Sequence, residues 1–442
     1  MPTVTERLTD AVGKRVSTGR AERDRVPLES LAALDTGPDR PDPVSLLLAQ
    51  DKNRVQRLVP IRHGRMRATP FTFYRGGAAI MASDLSRTAS TDLRVQLCGD
   101  AHLSNFGLFN GADRQLVFDV NDFDETSPGP FEWDLKRLAA SVTIAGRNNE
   151  LTDKKIRAAT KAAVRGYREG IAATLERSPL AIRYYRVDVQ SLLEQDEKLR
   201  KRSQKAVDKA SRKDSVKALE KLTDVVDGHR RIVSEPPLIV PLRNVDGEID
   251  PDRLRDLFDR YRIVDIAHKV VGVGSVGTLC LIVLLESDDG SPRFMQFKEA
   301  TQSVLEPYCG PSGYAGAGER VVRGQQLMQS TGDILLGWSH FDADDREIGF
   351  YFRQLWDGKG SADVDQMGPA RLARYAAACG AVLALAHART GDAAAIHGYL
   401  GDDDTADHLL AQFADTYADL NVADHAAHER AIEDGRVPVA DE

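Results

Sequence analysis

Three glycines in "KVVGVGSVGTLCLIVLLE" restrict this chain more than any other feature. Gly272, Gly274 and Gly277 follow the spacing G-x-G-x-x-G, which lets a backbone turn tightly and approach a ligand with no Cβ in the way. In a dinucleotide-binding βαβ unit such glycines close a strand and open a helix. Here strands are expected on both sides, over about 269–275 and about 278–286. The glycines therefore belong to a β-hairpin, and a Rossmann site is disfavoured. After a turn at "DDGSP", a strand over about 293–299 carries Lys298 in "RFMQFKEA". A helix containing "GERVVRGQQLMQ" then places Glu319 where it could pair with that lysine. A hairpin, a strand lysine and a helix glutamate are each ordinary alone; their order is what carries information.

A second cluster lies far upstream. "VQLCGDAHLSNFGLF", from Val95 to Phe109, ends a strand-like run in Asp100, His102 and Asn105. The next expected strand, Leu116 to Val120, runs into "VFDVNDFDE". Magnesium prefers carboxylate and amide oxygens, so Asn105 with Asp122 is a candidate metal pair. Asp119 is a rival, since strand alternation puts it on the opposite face from the neighbours of Asp122, and Asp124 is a further one. The plain alternative is that these side chains cap turns. "GD-x-H" is also similar to metallophosphoesterases, but their further G-N-H and G-H-x-H elements are missing. His102 reads as a packed loop residue.

The spacing from Asp100 to Asn105 resembles the protein-kinase catalytic loop H-R-D-L-x-x-x-N. In kinases that Asp takes the acceptor proton, the Asn and a D-F-G Asp hold magnesium, and a Gly-rich hairpin covers the ATP phosphates, which a strand Lys also holds. The resemblance implies catalytic roles for Asp100, Asn105 and Lys298. It implies ATP contacts from Gly272, Gly274, Ser275, Gly277, Lys298 and Glu319, and magnesium at Asn105 and Asp122 or Asp119. Two departures are Asp124 in the place of the D-F-G glycine and Leu279 in the place of a valine. The order of the halves is also reversed, which circular permutation would explain, because domain termini often lie close together. The expected fold is α+β, a two-lobed protein-kinase-like fold, circularly permuted. Its parts would be an extended N-terminal segment over about 1–45 and a catalytic-loop segment over about 46–235 with a helical insertion. A Gly-rich β lobe over about 260–355 and a helical return over about 356–442 would complete it.

Composition adds exclusions. The 442 residues carry a net charge of −8, which gives no electrostatic reason to seek nucleic acid. Cys98, Cys280, Cys309 and Cys379 form no CxxC pair, which points to reduced thiols in a cytoplasm. No apolar run is long enough to span a bilayer. "WDLKRLAASVTIAGR" and 151–176 read as helices, 185–230 as charged helix, and "SEPPLIVPL" as a linker. Strands are expected near 347–354 and helices near 368–390 and 403–420. The basic run at 198–217 reads as a solvated face.

"RHGRM", "PFTFYRGGA", "QLCGDAHLSNFG", "NDFDET", "GPFEWDLKRLAAS", "VVGVGSVGT", "QFKEA", "RQLWDGKGS" and "AHARTGD" together resemble the bacterial family called domain of unknown function 2252. The catalytic segment is also similar to aminoglycoside and choline phosphotransferases, H-G-D-x-x-x-x-N, with Cys98 in the place of their histidine. That resemblance implies that Asp134 buttresses the loop. His387, Arg389 and Asp392 read as structural, and Arg65 or Arg75 as able to reach a phosphate. The expected function is ATP- and Mg-dependent phosphotransfer to an unidentified small-molecule hydroxyl. A silent nucleotide-binding module or a nucleotidyl transferase are the alternatives, and oligomeric state is open.

Overall fold

The computed structural model describes residues 4–187, 215–226, 228–242, 261–343, 346–355, 358 and 360–440. Helices α1 (Val4–Arg25), α2 (Pro43–Asp51), α3 (Val59–Arg67), α4 (Pro70–Gly76) and α5 (Ala78–Leu85) lead into β1 (Arg94–Leu97), β2 (Phe106–Asn110), β3 (Leu116–Val120) and β4 (Ser127–Pro130). Then come α6 (Phe131–Asn148), α7 (Asp153–Thr174), α8 (Pro179–Tyr184), α9 (Ser215–Leu222), the hairpin β5 (Thr223–Val226) and β6 (His229–Ile232), and β7 (Ile239–Pro241). Strands β8 (Tyr261–Lys269), β9 (Cys280–Ser287) and β10 (Pro292–Ala300) precede α10 (Glu306–Cys309) and α11 (Ala317–Met328). The chain closes with β11 (Gly337–Ala343), β12 (Arg346–Gln354), β13 (Gly360–Ser361), α12 (Pro369–Ala388), α13 (Ala393–Leu400) and α14 (Thr405–Glu433). The protein is thus mixed α+β.

The helical body is built round α6, in which every residue from Phe131 to Gly146 is buried, the charged Glu132, Asp134, Lys136 and Arg137 included. Buried charges persist only with partners, and those partners build the site described below. Helices α7 and α12 cross with their backbones almost touching. A Cβ on Gly380 would lie 2.0 Å from the Ala163 carbonyl oxygen, and one on Gly166 2.3 Å from that of Ala377.

The same device corrects the expectation for the N-terminal segment. Instead of an extended arm, it forms α1, which docks on α13 where a Cβ on Gly19 would meet the Ala395 carbonyl at 1.8 Å. Val26, Leu28 and Leu31 behind it are buried.

The other body is a six-stranded antiparallel sheet in the order β11-β12-β10-β9-β8-β7. Two expectations change here. The strand expected over 269–275 ends at Lys269, so the glycines lie wholly in the β8–β9 turn. "SEPPLIVPL" is no linker: it supplies β7, with Ile239 opposite Lys269 on the sheet edge. Of the helical stretch expected over 185–230, 188–214 lies outside the described residues, as does most of the basic run. The remainder forms α9 and the β5–β6 hairpin.

Two small sheets set the loops. β1 pairs with β4, Arg94 opposite Pro130 and Leu97 opposite Ser127, which brings the start of α6 beneath the turn after β1. β2 pairs with β3, Phe106 opposite Val120, which brings the end of β3 beside Asn105.

Candidate active site

The loop after β1 needs glycine at its first turn. Gly99 has φ +84°, and a Cβ there would lie 2.2 Å from the Glu125 carbonyl oxygen. Asp134, in the first turn of α6, then holds the loop: its carboxylate accepts the Cys98 N–H at 2.7 Å and the Gly99 N–H at 3.0 Å. His387 Nε2 stands 3.3 Å from the same carboxylate, and its Nδ1 is 2.8 Å from the Tyr167 hydroxyl. Cys98 therefore contributes its backbone, while the Asp134–His387–Tyr167 chain fixes the turn from inside the helical body.

Asp100 lines the cleft beyond. Arg137 donates to its Oδ1 through Nε at 2.9 Å, with Nη2 at 2.7 Å. Burial pushes the Asp100 carboxyl up to about 6; Arg137 opposes this and Asp122 adds to it. His102 Nε2 lies 3.6 Å from Asp100 Oδ2, and its Nδ1 is buried with no partner among the described residues. Burial, and then Arg75 and Arg137, hold the His102 imidazole well below its usual range, so it is neutral. Asn105 donates its Nδ2 to the Asp100 carbonyl at 2.8 Å, which points to its amide oxygen as the atom offered to a ligand.

The second loop is tied to the first by the Asn121 N–H, which donates to the Asn105 carbonyl at 2.8 Å. Asp122 Oδ1 accepts the Asp124 N–H at 3.2 Å, so the turn-capping reading holds for one of its oxygens. Asp124 is the residue met by the sheet. Its carboxylate accepts from Lys298 Nζ, from Ser275 Oγ at 3.0 Å and from the Tyr351 hydroxyl at 2.7 Å. Lys298 and Tyr351 are register partners on β10 and β12, which is why they reach the same oxygen pair. Burial opposes the Asp124 carboxylate, but Lys298 overrides it and draws the group down to about 2. Lys298 stays charged well above its ordinary range despite burial, because Asp124 faces it.

Two expected members stand elsewhere. Glu319 does not pair with Lys298; it lies 3.6 Å from Arg323 on its own helix. The adjacent Arg320 turns inward instead, donating to the carbonyls of Asp124 and Thr301 at 2.7 and 2.8 Å and also to that of Thr126. Asp119 faces away from the cleft: Oδ1 accepts the Val120 N–H at 2.9 Å and Oδ2 lies 3.8 Å from Arg389.

The glycine turn forms the roof. Gly272 and Gly277 have φ +68° and +92°, so side chains there would be strained. Residues between α2 and α3 clasp it: the Val55 N–H donates to the Gly277 carbonyl at 2.7 Å and Arg54 Nη1 to the Val276 carbonyl at 2.6 Å. Arg65 donates to the Gly272 carbonyl. The sequence reading left out Arg54, Glu125 and Glu299, which also line the cleft. Only the shared "acidic residue beside a motif" signal of "NDFDE" and "FKEA" could have pointed to the two glutamates. Burial pushes the Glu125 carboxyl up to about 7, against the Val304 N–H and Arg320.

The enclosed space is about 100 Å³ and brings together Asp100, Asn105, Asp122, Asp124, Arg75 and the Gly272–Ser275 turn. Among the described residues no three His, Cys, Asp or Glu side chains converge to hold a metal unaided. Fold and site thus define a mixed α+β protein with a carboxylate-rich cleft between a helical body and a glycine-roofed antiparallel sheet. A family model described as "Uncharacterized protein conserved in bacteria (DUF2252)" matches residues 54–431, and the chain belongs to that family. No curated protein and no solved structure matches it. No described helix is long and apolar enough to cross a membrane, and the four cysteines are free thiols.

Proposed function

We propose that this protein is an ATP- and Mg-dependent phosphotransferase with a circularly permuted, kinase-like, two-lobed fold, acting on a hydroxyl of a small molecule. One observation carries the reading. Lys298, buried behind the cleft wall, forms an ion pair with Asp124, distant in sequence, and Asp124 lines the cleft together with Asp100, Asn105, Asp122 and the glycine turn. The sheet supports it. A glycine turn joins β8 to β9, the lysine lies on β10, and a helix and two strands complete the lobe, the order expected of a kinase lobe.

The donors fit the proposed ligands. Asn105 and Asp122 offer hard oxygens but no complete cage, which suits magnesium, an ion that keeps waters and phosphate oxygens in its shell. Bound magnesium supplies charge neutralisation at the phosphates. Lys298, Ser275 and the turn's backbone hold those phosphates, while Asp124 keeps the lysine charged and aimed. Asp100, ionised above about pH 6, takes the acceptor proton, and Arg137 fixes its rotamer.

The test is parallel incubation of purified protein with γ- and α-labelled ATP, magnesium and a metabolite extract, alongside Mg-ATP melting shifts. Transfer of the γ label, with the melting shift weakened by Lys298→Ala, supports phosphotransfer. Transfer of the α label replaces it with nucleotidyl transfer. No shift at millimolar Mg-ATP refutes both.

A further inference from the structure

Arg75 closes α4, a helix entered through a Thr69–Thr72 capping box with Pro70 in its first turn. Its backbone carbonyl lies under the tip of the roof: a Cβ on Gly274 would be 3.5 Å from it. Its side chain lines the cleft with Asp100 and His102. Among the described residues its guanidinium has no hydrogen bond or ion pair, and its Nε is buried. Neighbouring arginines differ: Arg54 is bonded to the Val276 carbonyl, Arg137 to Asp100, and Arg320 to three carbonyls. Arg75 is half-buried, feels the carboxylates of Asp100 and Asp365 without a hydrogen bond to either, and so keeps its donors free between the glycine roof and Asp100.

We propose that Arg75 grips the phosphoryl group in transit, and that it is a catalytic residue of the reaction proposed above, on which this inference rests. In that step the acceptor hydroxyl gives its proton to Asp100, and the acceptor oxygen forms a bond to the γ-phosphorus. The bond from that phosphorus to the β–γ bridging oxygen breaks, and its electron pair leaves on ADP. Charge gathers on the three equatorial oxygens, where a planar guanidinium can donate two parallel hydrogen bonds. Arginines placed in this way elsewhere contribute about 10³–10⁵ in turnover.

The experiment uses the full chain, its Arg75→Gln and Arg75→Lys variants, and melting curves in Mg-ADP with and without fluoroaluminate, a mimic of the phosphoryl group in flight. The wild type should show a shift with Mg-ADP and a further shift when fluoroaluminate is added. Arg75→Gln should keep the first shift, lose the second, and melt without ligand no lower than the wild type, since no protein partner is lost. Arg75→Lys should restore part of the second shift. Retention of the full fluoroaluminate increment in Arg75→Gln overturns the proposal, as does an unliganded variant that melts well below the wild type. A wild type without any Mg-ADP shift removes the nucleotide reading itself.

Discussion

Removing the Asp134 carboxylate should unfasten the loop that carries Asp100. The carboxylate accepts two buried backbone N–H groups and sits beside His387 Nε2, all away from solvent. A buried donor left unsatisfied costs about 1–3 kcal/mol. Asp134 also lies in the first turn of α6, where a negative charge contributes about 0.3–1 kcal/mol. Asp134→Ala should therefore cost about 2–7 kcal/mol, a large share of the roughly 5–15 kcal/mol by which domains are stable. Asp134→Asn keeps one acceptor oxygen but turns an amide N–H₂ toward a donor, and should cost about half as much. Urea unfolding followed by tryptophan fluorescence suits this test. Trp133 is buried next to Asp134 and donates to Ser90 Oγ at 2.9 Å. A loss below about 1 kcal/mol for Asp134→Ala would refute the view that this carboxylate is a main tether of the loop.

Other substitutions probe the site from different sides. Lys298→Met strands the Asp124 carboxylate and should destabilise by about 3–5 kcal/mol, with Asp124→Asn recovering part of it in a double-mutant cycle; additive effects would show that the pair is not coupled. Glu125 has a folded pKa raised to about 7 from 4.5, so it weakens the fold progressively as pH rises through that interval. Glu125→Gln should match the wild type below about pH 4.5 and be more stable by about 2–3 kcal/mol at pH 8, as read from urea midpoints; an equal gain at both pH values would contradict the assignment. Asp100→Asn should leave Mg-ATP binding nearly intact while lowering turnover about a hundredfold or more, whereas Asp122→Asn should weaken both. Titration calorimetry with kinetics separates them, and like behaviour would transfer the metal role to Asp124.

Local structure was legible in the sequence where residue pattern and backbone geometry coincide: the glycines form a turn between two strands, Lys298 lies on a strand, and Asp100 to Asn105 form a loop after β1. Orientation was less legible. Glu319 and Arg320 are adjacent on α11, and composition cannot say which of two neighbouring charges faces inward; the buried carbonyls of Asp124, Thr126 and Thr301 select the donor, Arg320. Asp119 and Asp122 posed the same problem at a strand end, and Arg389, contributed by a segment far along the chain, draws Asp119 away. The N-terminal helix was missed because its apolar stripe, Val4, Leu8, Val12 and Val16 at four-residue spacing, is only one residue wide in an otherwise polar sequence. Its docking depends on Gly19 meeting the Ala395 carbonyl, a close approach that hydropathy does not register. "SEPPLIVPL" was misread because prolines mark both linkers and sheet edges, and β7 is an edge strand.

The central claim is that one cleft, shared by two distant stretches of sequence, holds Mg-ATP. The most direct measurement is a crystal structure of the full chain with magnesium and a non-hydrolysable ATP analogue. The account predicts phosphates beneath Gly272–Gly277 with Lys298 in contact, magnesium on Asn105 and Asp122, and the γ-phosphate facing Asp100. A nucleotide bound elsewhere on the protein, or none bound at millimolar analogue with Lys298 still closed on Asp124, would contradict it.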